Sequence, residues 1–380
     1  MKIIKGQSSA KKSLLGRITR HRLSLGKRSH AILATNERKL MDVGYACIVS
    51  DSSFSRPLPF FSPHVTTERL DNINEGDVVS IDPSGNIHVL WEQESKNNAL
   101  LLTEACNCRC LMCPQPPKPF DARQIKVANN VLSLSAPGFT GEICLTGGEP
   151  TLCGDRLFEI LARCCEKHPH ASLTMLTNGK RFSEFEFTKD FANLGARIKL
   201  AVSLHADVDT LHDKIVGTVG SFRKTQQGLY NLAKFSQCIE IRVVVSQLNH
   251  DRLVQIARHI YRNYPFVSHV TFMALEITGY AYDNYRDVWI DPIDYGRNLE
   301  KALYEFHRSG MIVSTYNHPL CLIPISIWPF ARKSISGWKN NFTSACKECS
   351  VQSQCCGVFS TSGDKLSTNL KAIPELDGRN

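Results

Sequence analysis

The chain has 380 residues, 42% of them apolar, a net charge of +9 and fifteen cysteines. That is enough to bury a full core and to build two or three domains. No apolar run reaches about 18 residues, which excludes a transmembrane helix. No signal-like apolar segment precedes the cysteines, which argues against a disulfide framework and for a reducing, cytoplasmic setting.

The charge is uneven. Residues 1–30 hold nine Lys or Arg and no Asp or Glu. They read as a basic, flexible tail that meets nucleic acid or an acidic partner, or as a merely solvated terminus. Residues 31–95 read as a small β-rich domain. Stretches 44–49, 76–81 and 86–91 have strand character, Pro57 to Pro63 punctuates them, and Asp82-Pro-Ser-Gly85 is a hairpin turn. No chemical motif falls here.

From residue 96 to about 285 the pattern alternates strand and helix. The apolar run 99–102 is a buried strand, and a loop with Cys106, Cys108, Cys110 and Cys113 follows it. Cys106, Cys110 and Cys113 stand at C-x3-C-x2-C. Three thiolates at that spacing fold around one face of a [4Fe–4S] cube and leave one iron open for chemistry. The competing reading is a structural zinc site, which prefers paired C-x2-C elements, and no second pair lies nearby. Cys108 breaks the spacing and reads as a bystander. The next strand, from 142, ends in Thr146-Gly147-Gly148-Glu149-Pro150. Two glycines let a backbone come close to a ligand, and Glu149 offers a carboxylate to an ammonium group. Alone, this is an ordinary glycine turn.

Further strands fall at 172–177, 198–204, 240–246 and 269–275. Helices fall at 122–133, from 155, and at 183–194, 222–235 and 251–263. Leu157, Ile160, Leu161, Cys164 and Cys165 share one helical face, so those cysteines are core residues. Such alternation gives a parallel sheet that crossover handedness curls into a barrel or partial barrel. Its chemistry belongs at the C-terminal strand ends.

The cysteine loop and the Gly-Gly-Glu-Pro turn together resemble the radical S-adenosylmethionine (radical SAM) superfamily. The resemblance implies an α/β fold, a partial (β/α)6 barrel of the TIM type. It implies that Cys106, Cys110 and Cys113 hold a [4Fe–4S] cluster whose open iron chelates S-adenosylmethionine, which one electron cleaves to a 5′-deoxyadenosyl radical. Thr146, Gly147, Gly148 and Glu149 are then cofactor contacts, as are Asn178, Ser203 and Arg242. Met112 stands where family members carry an aromatic residue beside the adenine. The Asp209…Gly217 segment looks like one that initiates a helix in peptide-modifying members.

The C-terminal region, 286–380, opens with a helix to about 307. Cys321 follows, then Cys346, Cys349 and Cys355 at C-x2-C-x5-C. Four thiolates close the shell of a second cluster, and a four-cysteine zinc ribbon fits the same spacing. The pattern resembles the twitch domain, a half-size relative of the SPASM extension. That resemblance implies an auxiliary [4Fe–4S] cluster with Cys355 as its last ligand, Cys356 being the alternative. The last twenty residues are polar and carry no motif.

Stretches 102–118, 246–250 and 327–332 resemble the HxsC group of His-Xaa-Ser system radical SAM maturases. This implies a peptide or protein maturase and its partners: a precursor with His-Xaa-Ser repeats, a second radical SAM maturase, a small accessory protein and an electron donor. Two alternatives belong to other classes. One is a radical SAM enzyme acting on nucleic acid, which the basic start favours and the lack of interleaved aromatic and basic residues disfavours. The other is a non-catalytic, cluster-holding accessory protein.

Overall fold

A computed structural model describes residues 2–37, 39, 41–51, 62–195, 197–333, 340–363 and 365–375. The chain divides into two units. One holds residues 1–101, 122–144 and 159–172, and the other holds 102–121, 145–158 and 173–380. The division passes through the first two strands of the larger sheet.

The first unit carries an eight-stranded sheet made of β1 (Lys2–Ile4), β2 (Gln7–Ser8), β3 (Leu14–Thr19), β4 (Ala31–Ala34), β5 (Cys47–Ser50), β6 (His64–Thr66), β7 (Val78–Ile81) and β8 (Ile87–Trp91). Its order is β1-β8-β7-β3-β4-β5-β6-β2. The two edge strands are consecutive in the chain, with only Lys5 and Gly6 between them. Three trans peptide steps span at most about 11 Å, so the sheet curls until its edges nearly meet. A Cβ on Gly6 would lie 2.6 Å from the Thr66 carbonyl and 2.8 Å from that of Gly85, one beside each edge. The interior is filled by Ile18, Ile32, Val49, Val65, Ile81 and Ile87, none of them exposed by more than 1%. Alternation along β8, with Ile87, Val89 and Trp91 buried, is the period-two signature of a strand with one apolar face.

This differs from the expectation of a flexible tail over residues 1–30. Strands β1, β2 and β3 belong to the sheet, and part of the basic charge is used inside it. Arg20 donates to the carbonyls of Leu70 and Ile73. Arg22 pairs with Asp42 at 2.9 Å. Arg28, buried, donates to the carbonyls of Leu23, Met41 and Val43 and lies 4.8 Å over the Tyr45 ring. The sequence shows the charges but not that carbonyls at turn ends take them up. The expected punctuation at Pro57 to Pro63 falls mostly outside the described residues.

The larger sheet contains β9 (Asn97–Thr103), β10 (Glu142–Gly147), β11 (Ser172–Thr177), β12 (Ile198–Ser203), β13 (Cys238–Val244), β14 (His269–Met273), β15 (Val313–Tyr316) and β16 (Ala331–Arg332), side by side in chain order. Pairing from β11 through β16 is parallel. Six of these strands were legible in the sequence. β15 and β16, four and two residues long, extend the sheet beyond them and are too short to show a period in the sequence.

Helices α1 (Ala122–Leu134), α2 (Asp155–Lys167), α3 (Phe185–Asn193), α4 (Asp209–Val216), α5 (Ser221–Lys234), α6 (Leu253–Asn263), α7 (Tyr280–Asp283), α8 (Tyr285–Val288) and α9 (Pro292–Arg308) lie between or after the strands. In α2, Leu157, Ile160, Leu161 and Cys164 are fully buried, as their spacing requires. α9 starts at a true cap: Asp291 accepts from the Ile293 N–H, and Pro292 fills the first helical position. Among the described residues no helix is long and apolar enough to cross a membrane. All fifteen cysteines are free thiols.

Candidate active site

The cysteine loop leaves β9 at Thr103 and is held along its whole length. The Ala105 N–H donates to Thr103 Oγ1 at 3.0 Å. Arg109 and Leu111 donate to the carbonyls of Val216 and Ile215, and the Tyr280 N–H donates to the Cys113 carbonyl. Asn284 Nδ2 donates to the Leu111 carbonyl at 2.9 Å. The loop is therefore clamped between the end of α4 and the start of α7. Met112 is buried with Ile215, Ala281 and Val288 in an apolar cluster.

Gly217 makes room for this clamp. Gly217 caps α4 in the left-handed region at φ +64°, and a Cβ there would stand 2.4 Å from the Arg109 carbonyl oxygen. The Asp209…Gly217 segment is thus helix α4 and its C-cap. Asp213 within it caps the following helix, accepting from the Gly220 and Phe222 N–H groups. Gly220, at φ +77°, faces open space. We expect Gly220→Ala to cost only the left-handed penalty, about 1–2 kcal/mol. Gly217→Ala should cost clearly more in guanidinium unfolding and should lower iron bound per chain. Equal costs would mean that the Arg109 contact yields freely.

The Gly-Gly-Glu-Pro turn closes the other side. The Gly148 N–H donates to the Thr103 carbonyl and the Glu149 N–H to that of Ala105, each at 2.8 Å. A Cβ on Gly147 would lie 2.1 Å from the Thr103 oxygen, and one on Gly148 2.3 Å from the Ala105 oxygen. The backbone these glycines admit is that of the cysteine loop itself. Glu149 has several partners within the chain. It is fully buried. Its Oε1 accepts from the Thr151 N–H, Thr151 Oγ1 and Thr177 Oγ1, and its Oε2 from the Asn178 N–H at 2.7 Å. Burial raises its pKa, against the hydrogen bonds that lower it. The carboxylate ties the end of β10 to the end of β11. Thr146, Gly147 and Gly148 remain half-buried.

The thiols fall into two kinds. Cys106, Cys110 and Cys113 are half-buried. Burial pushes Cys110 up to about 12 and raises Cys113. Cys106 is raised too, first through its hydrogen bond with Cys108 and then by burial. Cys108 is buried, 3.5 Å from Lys180 Nζ, 3.6 Å from Asn178 Nδ2 and 3.9 Å from Ser221 Oγ. Its pKa is lowered to about 6 by the Cys106 hydrogen bond, with Lys180 and Ser221 adding to it against burial. Cys113 Sγ donates to the Gln115 carbonyl at 2.9 Å, and Cys106 Sγ accepts from the Cys108 N–H at 3.4 Å. Asn178 points at this loop, donating to Asn107 Oδ1 at 2.7 Å. Lys180, buried, donates to the Asn107 carbonyl at 3.0 Å. Lys180, Thr177 and Thr151 were missed in the sequence. The Thr-Asn-Gly-Lys turn was the only signal for the first two.

Ser203 ends β12. It pairs in register with Arg242 of β13, which pairs with Thr271 of β14. Arg242 Nε donates to Glu240 Oε1 at 2.5 Å.

The C-terminal cysteines also meet. Cys321, Cys346, Cys349 and Cys355 line one pocket with Leu320 and Leu370. Backbone N–H groups of Leu320 and Gly357 point at Cys355 Sγ, and that of Ile373 at Cys349 Sγ. Cys356 is absent from the pocket wall, is buried, and donates to the Gly357 carbonyl at 3.3 Å. The C-terminal stretch is docked: Ser350 N–H donates to the Ile373 carbonyl, and Ser367 and Asn369 donate to Asp291. Among the described residues no three His, Cys, Asp or Glu side chains are grouped to hold a single metal ion. The donor chemistry of both sites, three or four sulfurs on a pinned backbone, fits a cluster.

Residues 100–260 match the family model described as the Radical SAM superfamily. No curated protein matches the chain. Among solved structures, SuiB of Streptococcus suis bound to S-adenosylmethionine is 15% identical at a TM-score of 0.46, covering 59% of this chain and 51% of its own. The enzyme anSMEcpe with bound AdoMet and the Cp18Cys peptide is 18% identical at 0.45, covering 57% and 62%. A radical SAM methyltransferase from Sphaerobacter thermophilus is 14% identical at 0.42, covering 63% and 72%. The chain thus spans about half the length of SuiB. The segment matched by that model carries the cysteine loop, the Gly-Gly-Glu-Pro turn, Asn178, Ser203 and Arg242.

Proposed function

We propose that this protein is a radical SAM enzyme that modifies a ribosomally made peptide or protein carrying His-Xaa-Ser repeats. The observation that carries the catalytic reading is the division of labour in the cysteine loop. Cys106, Cys110 and Cys113 are half-buried, whereas Cys108 is buried and held by Lys180, Asn178 and Ser221. Cys106, Cys110 and Cys113 would hold a [4Fe–4S] cluster. With S-adenosylmethionine bound, that cluster supplies the electron for cleavage to methionine and a deoxyadenosyl radical. The chain's own task is to fix the thiols, to offer Gly147–Gly148 carbonyls and the Ser203–Arg242 row to the methionyl end, and to exclude water. The parallel sheet then acts as a partial (β/α)6 barrel with its chemistry at the C-terminal strand ends.

The substrate class rests on the sequence stretches, not on the fold. Of these, 246–250 forms a turn in which Asn249 Nδ2 donates to the His205 and Val244 carbonyls, and 327–332 is anchored by Trp328 Nε1 on the Leu320 carbonyl. Both brace the sites above. The four C-terminal cysteines would hold the auxiliary [4Fe–4S] cluster, with Cys355 rather than Cys356 as last ligand, since two N–H groups already point at the Cys355 sulfur. A four-cysteine zinc site is the competing reading that the sequence spacing permits. The expected partners are the precursor, a second radical SAM maturase, a small accessory protein and an electron donor, in the reducing cytoplasm.

Anaerobic incubation with S-adenosylmethionine, a reductant and a His-Xaa-Ser repeat peptide tests the reading. Deoxyadenosine should form and rise with the peptide, and the peptide mass should change. Deoxyadenosine without any peptide change would remove the substrate assignment. No deoxyadenosine under any reductant would leave an accessory role.

A further inference from the structure

The short helices α7 and α8 follow β14, at the C-terminal end of the larger sheet. The Tyr280 N–H and Asn284 Nδ2 hold the cysteine loop through the carbonyls of Cys113 and Leu111. The same helices carry an acidic, aromatic strip. Residues 276–291 hold Glu276, Asp283, Asp287 and Asp291 against one basic residue, Arg286. Tyr282 is 54% exposed, and Tyr285 stacks on Trp289 with ring centroids 5.2 Å apart.

A strap from the chain's own C-terminal stretch lies on this strip. Thr361 Oγ1 donates to Glu276 Oε1 at 3.1 Å. Lys365 Nζ stands 3.6 Å from the ring centroid of Tyr282 and 4.5 Å from that of Tyr285. Two residues on, Ser367 Oγ donates to Asp291 Oδ2 at 2.6 Å, and Asn369 Nδ2 donates to the same oxygen at 3.0 Å. The cap of α9 uses Asp291 Oδ1, which leaves Oδ2 for the strap. Residues 365–367 lie outside helix, strand and turn. Along an extended segment, side chains two residues apart face the same way. The strip therefore reads a pattern: a cation, any residue, then a hydroxyl.

We propose that this strip is a docking site for the substrate peptide, and that Lys365-Leu366-Ser367 is a built-in placeholder for it. The occupant is an extended segment that presents a cationic group or imidazole and, two residues on, a serine hydroxyl. The faces of Tyr282 and Tyr285 take the cation. Asp291 takes the hydroxyl through a charge-assisted hydrogen bond. The exposed acids Asp283 and Asp287 favour a segment of positive charge. Resting on the substrate reading above, the segment is one His-Xaa-Ser repeat, whose spacing is that of Lys365 and Ser367. The strap lifts to admit it. Its far end stays anchored, since Leu370, Lys371 and Ile373 line the second cysteine pocket.

The test uses the full-length, cluster-reconstituted protein and reads binding by fluorescence anisotropy, not turnover. The probe is a labelled His-Gly-Ser repeat peptide, with His-Gly-Ala and Lys-Gly-Ser repeats as comparisons. Replacing Lys365 and Ser367 together by alanine should tighten the His-Gly-Ser peptide at least about fivefold. A site filled by its own strap is open only in the fraction of molecules where the strap has lifted. Lys365→Ala alone should act in the same direction, which keeps the test if the pair fails to fold. Added to the strap variant, Tyr282→Leu should weaken the peptide about two- to fivefold. The His-Gly-Ala peptide should bind at least about tenfold more weakly than His-Gly-Ser. Unchanged or weaker binding in both strap variants would overturn the proposal and make the strap a fastening of α7 and α8. A His-Gly-Ser peptide that is modified in the assay above, yet binds strap variants and wild type alike, would do the same and leave the proposed function standing. Lys-Gly-Ser binding that tightens in the strap variants, with no His-Gly-Ser binding, would support the docking site and overturn the His-Xaa-Ser reading instead.

Discussion

Replacing Cys106, Cys110 and Cys113 together by alanine should reduce iron from about eight to about four per chain and abolish deoxyadenosine formation. The effect is expected to be this large because no other thiol in the loop can substitute. Cys108 is the nearest candidate, but its sulfur is turned to Lys180, Asn178 and Ser221. Replacing it by serine should therefore keep the iron of the loop. Metal analysis of the anaerobic protein reads the result. About four irons falling to none, with zinc retained, would make the C-terminal pocket of Cys321, Cys346, Cys349 and Cys355 a structural zinc site. Any role for it in electron transfer would then be dropped. Persistence of about eight irons in the triple variant would place both clusters elsewhere and end the assignment.

Glu149→Ala should destabilise the protein by several kcal/mol, about 1–3 for each backbone N–H left without an acceptor. Four donors lose their acceptor at once: the Thr151 N–H and hydroxyl, the Thr177 hydroxyl and the Asn178 N–H. Each unsatisfied buried group costs about 1–3 kcal/mol, less where a hydroxyl turns to a new partner. Glu149→Gln keeps the shape and one carbonyl acceptor but presents an NH2 group to a remaining donor, so its cost should be about half. Guanidinium unfolding measures both. Because Glu149 accepts four hydrogen bonds from this chain, S-adenosylmethionine affinity should fall only in proportion to lost fold and iron. A Glu149→Gln protein that is fully stable and iron-loaded, yet does not bind the cofactor, would show that the carboxylate touches the ligand after all.

These two sites show different degrees of legibility. The cysteine spacing was readable because a loop that ligates a cluster needs its sulfurs at fixed offsets along one short stretch. The Gly-Gly-Glu-Pro turn was readable as a motif, but its physics was not. Its glycines make room for the Thr103 and Ala105 carbonyls, and its glutamate for β11. Lys180 and Thr271 were invisible. A lysine after a turn and a threonine in a strand are ordinary residues until the fold brings them against Cys108 or leaves a buried hydroxyl unpaired. The Cys355–Cys356 ambiguity is one that spacing leaves open, and it is the pocket wall and the N–H directions that separate the pair.

By itself the sequence determined the strand–helix alternation from β9 through α6, the apolar faces of the helices and the identity of the three cluster-spaced cysteines. Each of these is a local pattern, set by periodicity or by short spacing, and local patterns survive without coordinates. Tertiary structure alone decided that the basic start folds as β1 to β3, since closing the small sheet depends on β1 and β2 reaching opposite edges. It alone decided that Cys108 is buried against Lys180, Asn178 and Ser221, that the C-terminal stretch docks beside the second cysteine pocket, and that Ser203, Arg242 and Thr271 share one row. Those are contacts between residues distant in the chain, and their partners are chosen by register and packing, which no stretch of sequence carries within itself.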